Sequence, residues 1–183
     1  MEKPFRLGIL IGRFQTMHVG HEQMINTAIA LCDEVGVFIG SAQESGTQKN
    51  PFSFEIRKRF FTDIYGDRIK VAPLNDIGVG NNSRWGEYVL KNVEDTFGRL
   101  PDLLVSGKEE RRLDWFDGIT GLQIAELYIP KSIDISASRM REFFLEGDVD
   151  SWKNYTNPLH WGKYDMLRRL VILSQEHTET ASL

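Results

Sequence analysis

Cysteine is nearly absent. Cys32 stands alone in 183 residues, so no internal disulfide can form, and a reducing compartment, the cytoplasm, is expected. It sits in an apolar pattern at helical spacing with no second thiol for a metal or redox pair. It therefore reads as a small core residue rather than a nucleophile. No apolar run approaches the roughly 18 residues that a membrane span needs, so no membrane partner is expected. Met1-Glu2-Lys3-Pro4 leads straight into a strand-like run, which argues against a cleavable signal peptide. A basic excess is missing too: 22 Lys and Arg against 26 Asp and Glu leave a formal net charge of −4. That balance argues against a general nucleic-acid binder. A local basic cluster for a small phosphorylated ligand stays open. Internal repeats and low-complexity tracts are also lacking, and only residues 177–183 read as a frayed tail.

What is present is alternation. Residues 5–11 (FRLGILI) and 34–40 (EVGVFIG) are short apolar runs suited to buried strands. Between them, Met24, Ile25, Ala28, Ile29 and Leu31 recur at helical spacing over residues 22–31. Residues 54–65 and 85–97 read as amphipathic helices, the first with Phe54, Ile56, Phe60, Phe61 and Ile64 apolar. Further strands are predicted at 70–74, 103–106 and 127–129, then a helix over 136–145 stopped by Gly147. Strand, helix, strand, repeated, implies right-handed parallel crossovers and an α/β, Rossmann-like doubly wound sheet. The length suits one domain, 1–183. Its end, 151–183, is expected to add closing helices with Trp152, Leu159, Trp161, Tyr164, Leu167, Leu170 and Val171 as core candidates.

In such a sheet, ligands bind at the carboxyl ends of the strands near the switch point. The first strand ends at Gly12-Arg13-Phe14-Gln15-Thr16-Met17-His18-Val19-Gly20-His21. On the opening turn of a helix, positions three apart share a face, so His18 and His21 can address one ligand. The helix N-terminus adds unpaired N–H groups and a partial positive charge. Arg13 supplies a cation, and Gly20 permits close approach of a ligand or of backbone. This suits a polyphosphate. Two histidines capping a helix, or half of a zinc site, are the alternatives, the latter poor without a third ligand at suitable spacing.

A second stretch, Ile135-Ser136-Ala137-Ser138-Arg139-Met140-Arg141, follows the last strand. Serines at a helix start are commonly only caps. Here hydroxyls and the guanidinium groups of Arg139 and Arg141 coincide at one helix N-terminus, a donor set suited to phosphate oxygens.

Together, in this order and separation, the two stretches resemble the nucleotidylyltransferase superfamily. The likeness narrows at Gly40-Ser41-Ala42-Gln43-Glu44-Ser45-Gly46-Thr47-Gln48-Lys49-Asn50-Pro51-Phe52, taken with Gly12-Arg13-Phe14-Gln15. These resemble nicotinamide-nucleotide adenylyltransferases of the archaeal type, and the bacterial enzymes that fuse such a domain to a Nudix hydrolase. The resemblance runs from about Leu7 to Phe144. Thr16 departs from the proline usual in the first loop, a change that a turn survives. No Nudix domain follows, so no pyrophosphatase activity is expected.

The resemblance implies a reaction. The phosphate of nicotinamide mononucleotide attacks the α-phosphorus of ATP in line, and pyrophosphate leaves with Mg2+. No general base is needed, because the nucleophile is already ionised. The protein's task is to align two anions and spread developing charge. By the same resemblance, Gly12, Arg13, Phe14, His18, Gly20, His21, Gly107, Ser136, Ser138 and Arg141 form the ATP subsite. Lys49 assists phosphate transfer alongside Arg13, His18, His21 and Arg141, and Lys108 adjoins the adenosine path. Arg57 is a weaker candidate, explained equally by a solvent-facing position on its helix. Ser41, Asn50 and Trp85 are assigned to the mononucleotide, with Trp85 stacking on the cationic pyridine ring. A core position is the alternative for Trp85.

The expected partners are therefore the small molecules ATP and nicotinamide mononucleotide, with self-association left open. Transfer to nicotinate mononucleotide, flavin mononucleotide or pantetheine phosphate is the competing activity. A non-catalytic nucleotide sensor would show loss of a motif histidine or of Arg141, and neither is lost.

Overall fold

In the computed structural model, which describes residues 2–80, 82–107 and 113–180, the apolar runs become strands of a single sheet. Strands β1 (Phe5–Gly12), β2 (Cys32–Ile39), β3 (Lys70–Pro73), β4 (Leu103–Ser106) and β5 (Ala125–Tyr128) pair in the order β3-β2-β1-β4-β5. All four pairings are parallel. The order reverses between β1 and β4, which opens a crevice at the carboxyl edge. Gly12 lies opposite Ile39, and Ile39 opposite Pro73. The three exits therefore leave the sheet at one level.

The run of buried residues in each central strand reflects cover on both faces. Alternate side chains divide between two cores. Leu7, Ile9, Phe38 and Leu104 pack with Val89 and Val93 of α3 (Ser83–Phe97). Leu10, Val35, Val37, Ile39, Leu103 and Val105 face the other way. There they meet Ile25 and Ala28 of α1 (Val19–Leu31), Phe60 and Phe61 of α2 (Phe54–Tyr65), and Phe143 and Phe144 of α4 (Ala137–Glu146). Side-chain caps fix the helix starts. Ser53 accepts from Ile56 N, Asn82 from Arg84 N and Trp85 N, and Ser136 from Arg139 N.

The chain ends in α5 (Val149–Asn154), a 3-10 helix over Pro158–Lys163, and α6 (Tyr164–Thr180). Trp152, Tyr164, Leu167 and Val171 are buried, and Leu170 packs against them. Leu159 and Trp161 are not core: they are 63% and 42% exposed, because the 3-10 helix breaks the periodicity that assigned them inward. Three further boundaries differ from expectation. Helix α1 begins at Val19 rather than at 22, and the helix α6 runs on to Thr180 where a frayed tail was expected from 177. Cys32 opens β2 instead of continuing a helix. It is buried, and burial pushes its thiol up to about 11, so it stays protonated and inert. Among the described residues no helix is long and apolar enough to cross a membrane.

Candidate active site

A cavity of about 590 Å³ opens at the carboxyl edge of the sheet, within the size range of small-molecule sites. Every strand exit contributes. Gly12, Arg13 and Phe14 follow β1, Ser41 and Lys49 follow β2, Asp76 and Trp85 follow β3, Gly107 follows β4, and Lys131, Ser136, Ser138 and Arg141 follow β5. Four cations, Arg13, Lys49, Lys131 and Arg141, face it, with Asp76 the one carboxylate among its described lining residues. A chain of net charge −4 has thus concentrated positive charge at one site, a field that draws in anions.

His18 and His21 both line this cavity. His18 is the N-cap of α1, in extended backbone, and the two rings stack with centroids 3.8 Å apart. The His18 main-chain N–H donates to His21 Nδ1 at 3.3 Å. That bond leaves the His21 proton on Nε2, so the ring offers an N–H to a ligand. Phe14 meets the His21 ring edge-on at 5.0 Å and is itself braced edge-on by Phe61 at 5.0 Å. Gly20 is needed because a Cβ there would lie 3.1 Å from the His18 ring. Burial, with a smaller effect from Lys131, lowers His18 to about 4. Burial and the adjacent His18 hold His21 well below its usual value. At neutral pH both imidazoles are uncharged hydrogen-bond donors, not cations.

The far wall is the start of α4. Arg141 donates to the main-chain carbonyl of Gln15, to Ala137 O at 3.2 Å and to Ser138 Oγ at 3.3 Å. It thereby ties the α4 wall to the β1 loop. Burial and then the nearby Arg13 lower its pKa. Arg139 does not join it. It turns outward to Glu142 and Glu146 at 2.8 and 3.1 Å.

Arg57 is neither a ligand contact nor solvent-facing. It is fully buried and donates to the carbonyls of Arg13 (2.9 Å), Gly40 (2.7 Å), Ser41 (3.0 Å) and Ser53 (3.3 Å). Burial, then Arg13, pushes it down to about 10, so it stays charged. A helical-wheel reading misplaced it because its partners are backbone groups of distant loops.

Asn50, expected on the mononucleotide, does not line the cavity. Buried, it donates to Glu44 Oε2 at 2.5 Å and shapes its own loop. That loop is clasped to the β1 exit by Gln15, whose side chain donates to Phe52 O at 3.0 Å and accepts from Phe52 N at 2.9 Å. Lys49 is thus carried to the cavity beside Arg13. Ser41 reaches the wall with its backbone at φ 47°.

Trp85 takes the core position, and it also reaches the cavity. It is 9% exposed and belongs to the α3 core, yet one part of it forms cavity wall. Trp115, which the sequence did not single out, stands at 84° to it with centroids 6.2 Å apart and also lines the cavity. Helix α3 comes this close because Gly86 has no side chain: a Cβ would sit 1.7 Å from Trp115 O. Lys108 lies outside the described residues. Trp115 and Lys131 were missed because they come from segments without hydrophobic periodicity, where no local signal marks them; Gln15 stood in the Gly12–Gln15 motif but was given no role.

Comparison with known proteins agrees with this geometry. The cytidylyltransferase-like family profile matches residues 9–143. A nicotinamide-nucleotide adenylyltransferase from Aeropyrum pernix is 31% identical over 156 residues, 82% of this chain and 85% of that one. A nicotinamide/nicotinic acid mononucleotide adenylyltransferase from Acinetobacter baylyi is 31% identical over 147 residues, 77% and 76% of the two chains. Among solved structures, a bifunctional NMN adenylyltransferase/ADP ribose pyrophosphatase from Francisella tularensis superposes with a TM-score of 0.75 at 22% identity. That match covers 97% of this chain and 54% of the other, so this chain spans about half its length. The chain belongs to the cytidylyltransferase-like family of nucleotidylyltransferases.

Proposed function

We propose that this chain transfers the adenylyl group of MgATP to nicotinamide mononucleotide, giving NAD and pyrophosphate. The observation that carries the reading is the single cavity in which Arg13, His18, His21, Lys49, Ser138 and Arg141 meet an aromatic wall at Trp85. A phosphate oxygen of the mononucleotide attacks the α-phosphorus. The new P–O bond forms as the bond to the bridging β-oxygen breaks, and pyrophosphate departs with that electron pair. The attacking phosphate is already an anion, so no side chain need remove a proton.

The residues align and neutralise. His21 Nε2–H and His18 donate to phosphate oxygens as fixed dipoles, and they gain strength as charge accumulates on the leaving oxygens. Arg141, with Ser138, grips the departing end through a planar fork, while Arg13 and Lys49 hold the two reacting phosphates against their mutual repulsion. Among the described residues no group of three His, Cys, Asp or Glu is placed to hold a metal. Magnesium enters as part of the nucleotide substrate, where it takes phosphate oxygens and water. The lone thiol and its burial favour a reducing cytoplasm.

The test offers MgATP with nicotinamide mononucleotide, nicotinate mononucleotide, flavin mononucleotide and pantetheine phosphate in turn, and measures pyrophosphate release. The nicotinamide acceptor should give the highest kcat/KM. Release with the flavin or pantetheine acceptor, and none with either pyridine mononucleotide, overturns the reading.

A further inference from the structure

Lys131 is a cavity residue that neither sequence motif contains. It lines the same cavity as His18, Ser138 and Arg141. The main chain around it is pinned from two sides. Ile129 N donates to Ser106 O at 2.8 Å at the end of β5, and Ser132 Oγ donates to Gln23 Oε1 at 2.8 Å on α1. Three residues beyond Ser132, the chain enters the Ser136 cap of α4 through Ile135. The Lys131 backbone is therefore held between α1 and the start of α4, both of which line the cavity.

Lys131 Nζ sits 2.6 Å from Asp134 Oδ1. The Asp134 side chain is fully exposed and that of Lys131 half exposed. An exposed i,i+3 pair of this kind is worth only about 0–1 kcal/mol, so a stronger anion displaces it at small cost. The charge already reaches the site, since Lys131 is one of the two causes that lower His18.

We propose that Lys131 is a further ATP-contacting residue, which leaves Asp134 to hold the triphosphate when MgATP enters the cavity. Asp134 is then a competing anion that tempers nucleotide affinity. The inference rests on the ATP-dependent reading of this cavity. Its alternative is a surface ion pair that merely stiffens the loop, and the two differ in sign. Breaking a stiffening pair from either end does the same thing. Removing a ligand contact and removing its competitor do opposite things.

The experiment titrates MgATP calorimetrically into the wild-type protein, Lys131→Gln, Asp134→Asn and the double variant. Lys131→Gln should weaken binding roughly fivefold to twentyfold, the scale of one charge-assisted phosphate contact. Asp134→Asn should tighten it about twofold to fivefold, the scale of a surface pair removed. The double variant should match Lys131→Gln, and adenosine, which has no phosphates, should bind all four proteins alike. Unchanged MgATP affinity in Lys131→Gln, or shifts of the same sign in both single variants, overturns the proposal. Wild-type protein that binds MgATP but makes no dinucleotide from any pyridine mononucleotide overturns the proposed function while the signs still decide Lys131. Wild-type protein that does not bind MgATP overturns both.

Discussion

The guanidinium of Arg57 donates to the main-chain carbonyl of Arg13 across 2.9 Å. One buried cation thus sets the height of another that faces the cavity. Because the same group also reaches Gly40 O and Ser41 O, the exits of β1 and β2 are fixed relative to each other. A lysine in its place offers one point of charge to carbonyls that a fork had spanned. Each carbonyl left buried without a donor costs about 1–3 kcal/mol. Arg57→Lys should therefore lose at least about 3 kcal/mol in urea unfolding. A loss below about 1 kcal/mol would mean that the loops hold their positions without it.

Three buried histidines predict an acid-side instability. His18 and His160 are each lowered to about 4, and His21 well below its usual value, in every case mainly by burial. The unfolded chain titrates them near 6.5. As pH falls below that value, the unfolded state takes up protons that the folded state refuses. Their contribution to stability is thus complete above about pH 6.5 and is lost as pH falls, down to about 4 for His18 and His160, with a limiting slope of about 1.4 kcal/mol per pH unit for each histidine. His160 lies away from the cavity, edge-on to Phe60 and 3.7 Å from Asp63. His160→Gln should flatten the acid limb of a Tm-against-pH curve while leaving the acceptor profile unchanged. An unaltered limb assigns the acid loss to other groups.

For His21 the expected deficit is in turnover. Losing one preorganised donor typically costs about 10²–10³ in rate, so His21→Ala should lower kcat by that factor with a much smaller rise in KM for ATP. Asn, which still offers an N–H, should recover part of it. Steady-state kinetics of both variants within a few-fold of wild type would make His21 only a partner of the His18 cap.

Arg141 and Arg139 make an internal control. Arg141→Lys keeps charge but loses the fork, and should cut kcat/KM for ATP by at least tenfold, about 1.4 kcal/mol. Arg139→Lys alters only the exposed contacts with Glu142 and Glu146 and should stay within about twofold. The reverse order of severity would show that the α4 wall is read in the wrong register.

These contrasts mark what the sequence could reveal. The central strands were legible because both of their faces are covered, leaving unbroken apolar runs such as Leu7–Ile11, and the histidine and serine–arginine motifs were legible because they sit at helix starts. Helix α1 was placed too late because its cap is His18, which lacks the signature of Ser, Thr, Asp or Asn. The helix-to-strand step at Leu31–Cys32 has no Gly or Pro to punctuate it. Arg57 and Gln15 act through backbone groups of other loops, Asn50 acts through the Glu44 carboxylate of its own loop, and Lys131 depends on where β5 delivers its loop. Such contacts are properties of the fold and have no local pattern.

In the proposed reaction Trp85 is the residue assigned to recognise the acceptor ring. Phosphate donors cannot distinguish one ribose phosphate from another, so the pyridine ring must be read by something else. Trp85 faces the cavity while its remaining surface packs on Tyr88 at 5.5 Å and on Trp115 at 6.2 Å. Its removal therefore mixes two effects. Trp85→Ala empties core volume, which costs about 3–5 kcal/mol, and loses a stack plus cation–π contact worth roughly 1–3 kcal/mol of mononucleotide binding. The conservative change separates them. Trp85→Phe keeps most of the packing and a weaker aromatic face, so its Tm should fall by only a few degrees. Its Kd for nicotinamide mononucleotide should rise about threefold to tenfold, the smaller quadrupole of a phenyl ring setting the scale. The proposed function assigns MgATP to the β1, β4 and β5 exits, so its Kd in the same titration should stay within about twofold. If the two affinities fall together and in step with Tm, Trp85 serves the α3 core alone. The ring-reading face is then Trp115.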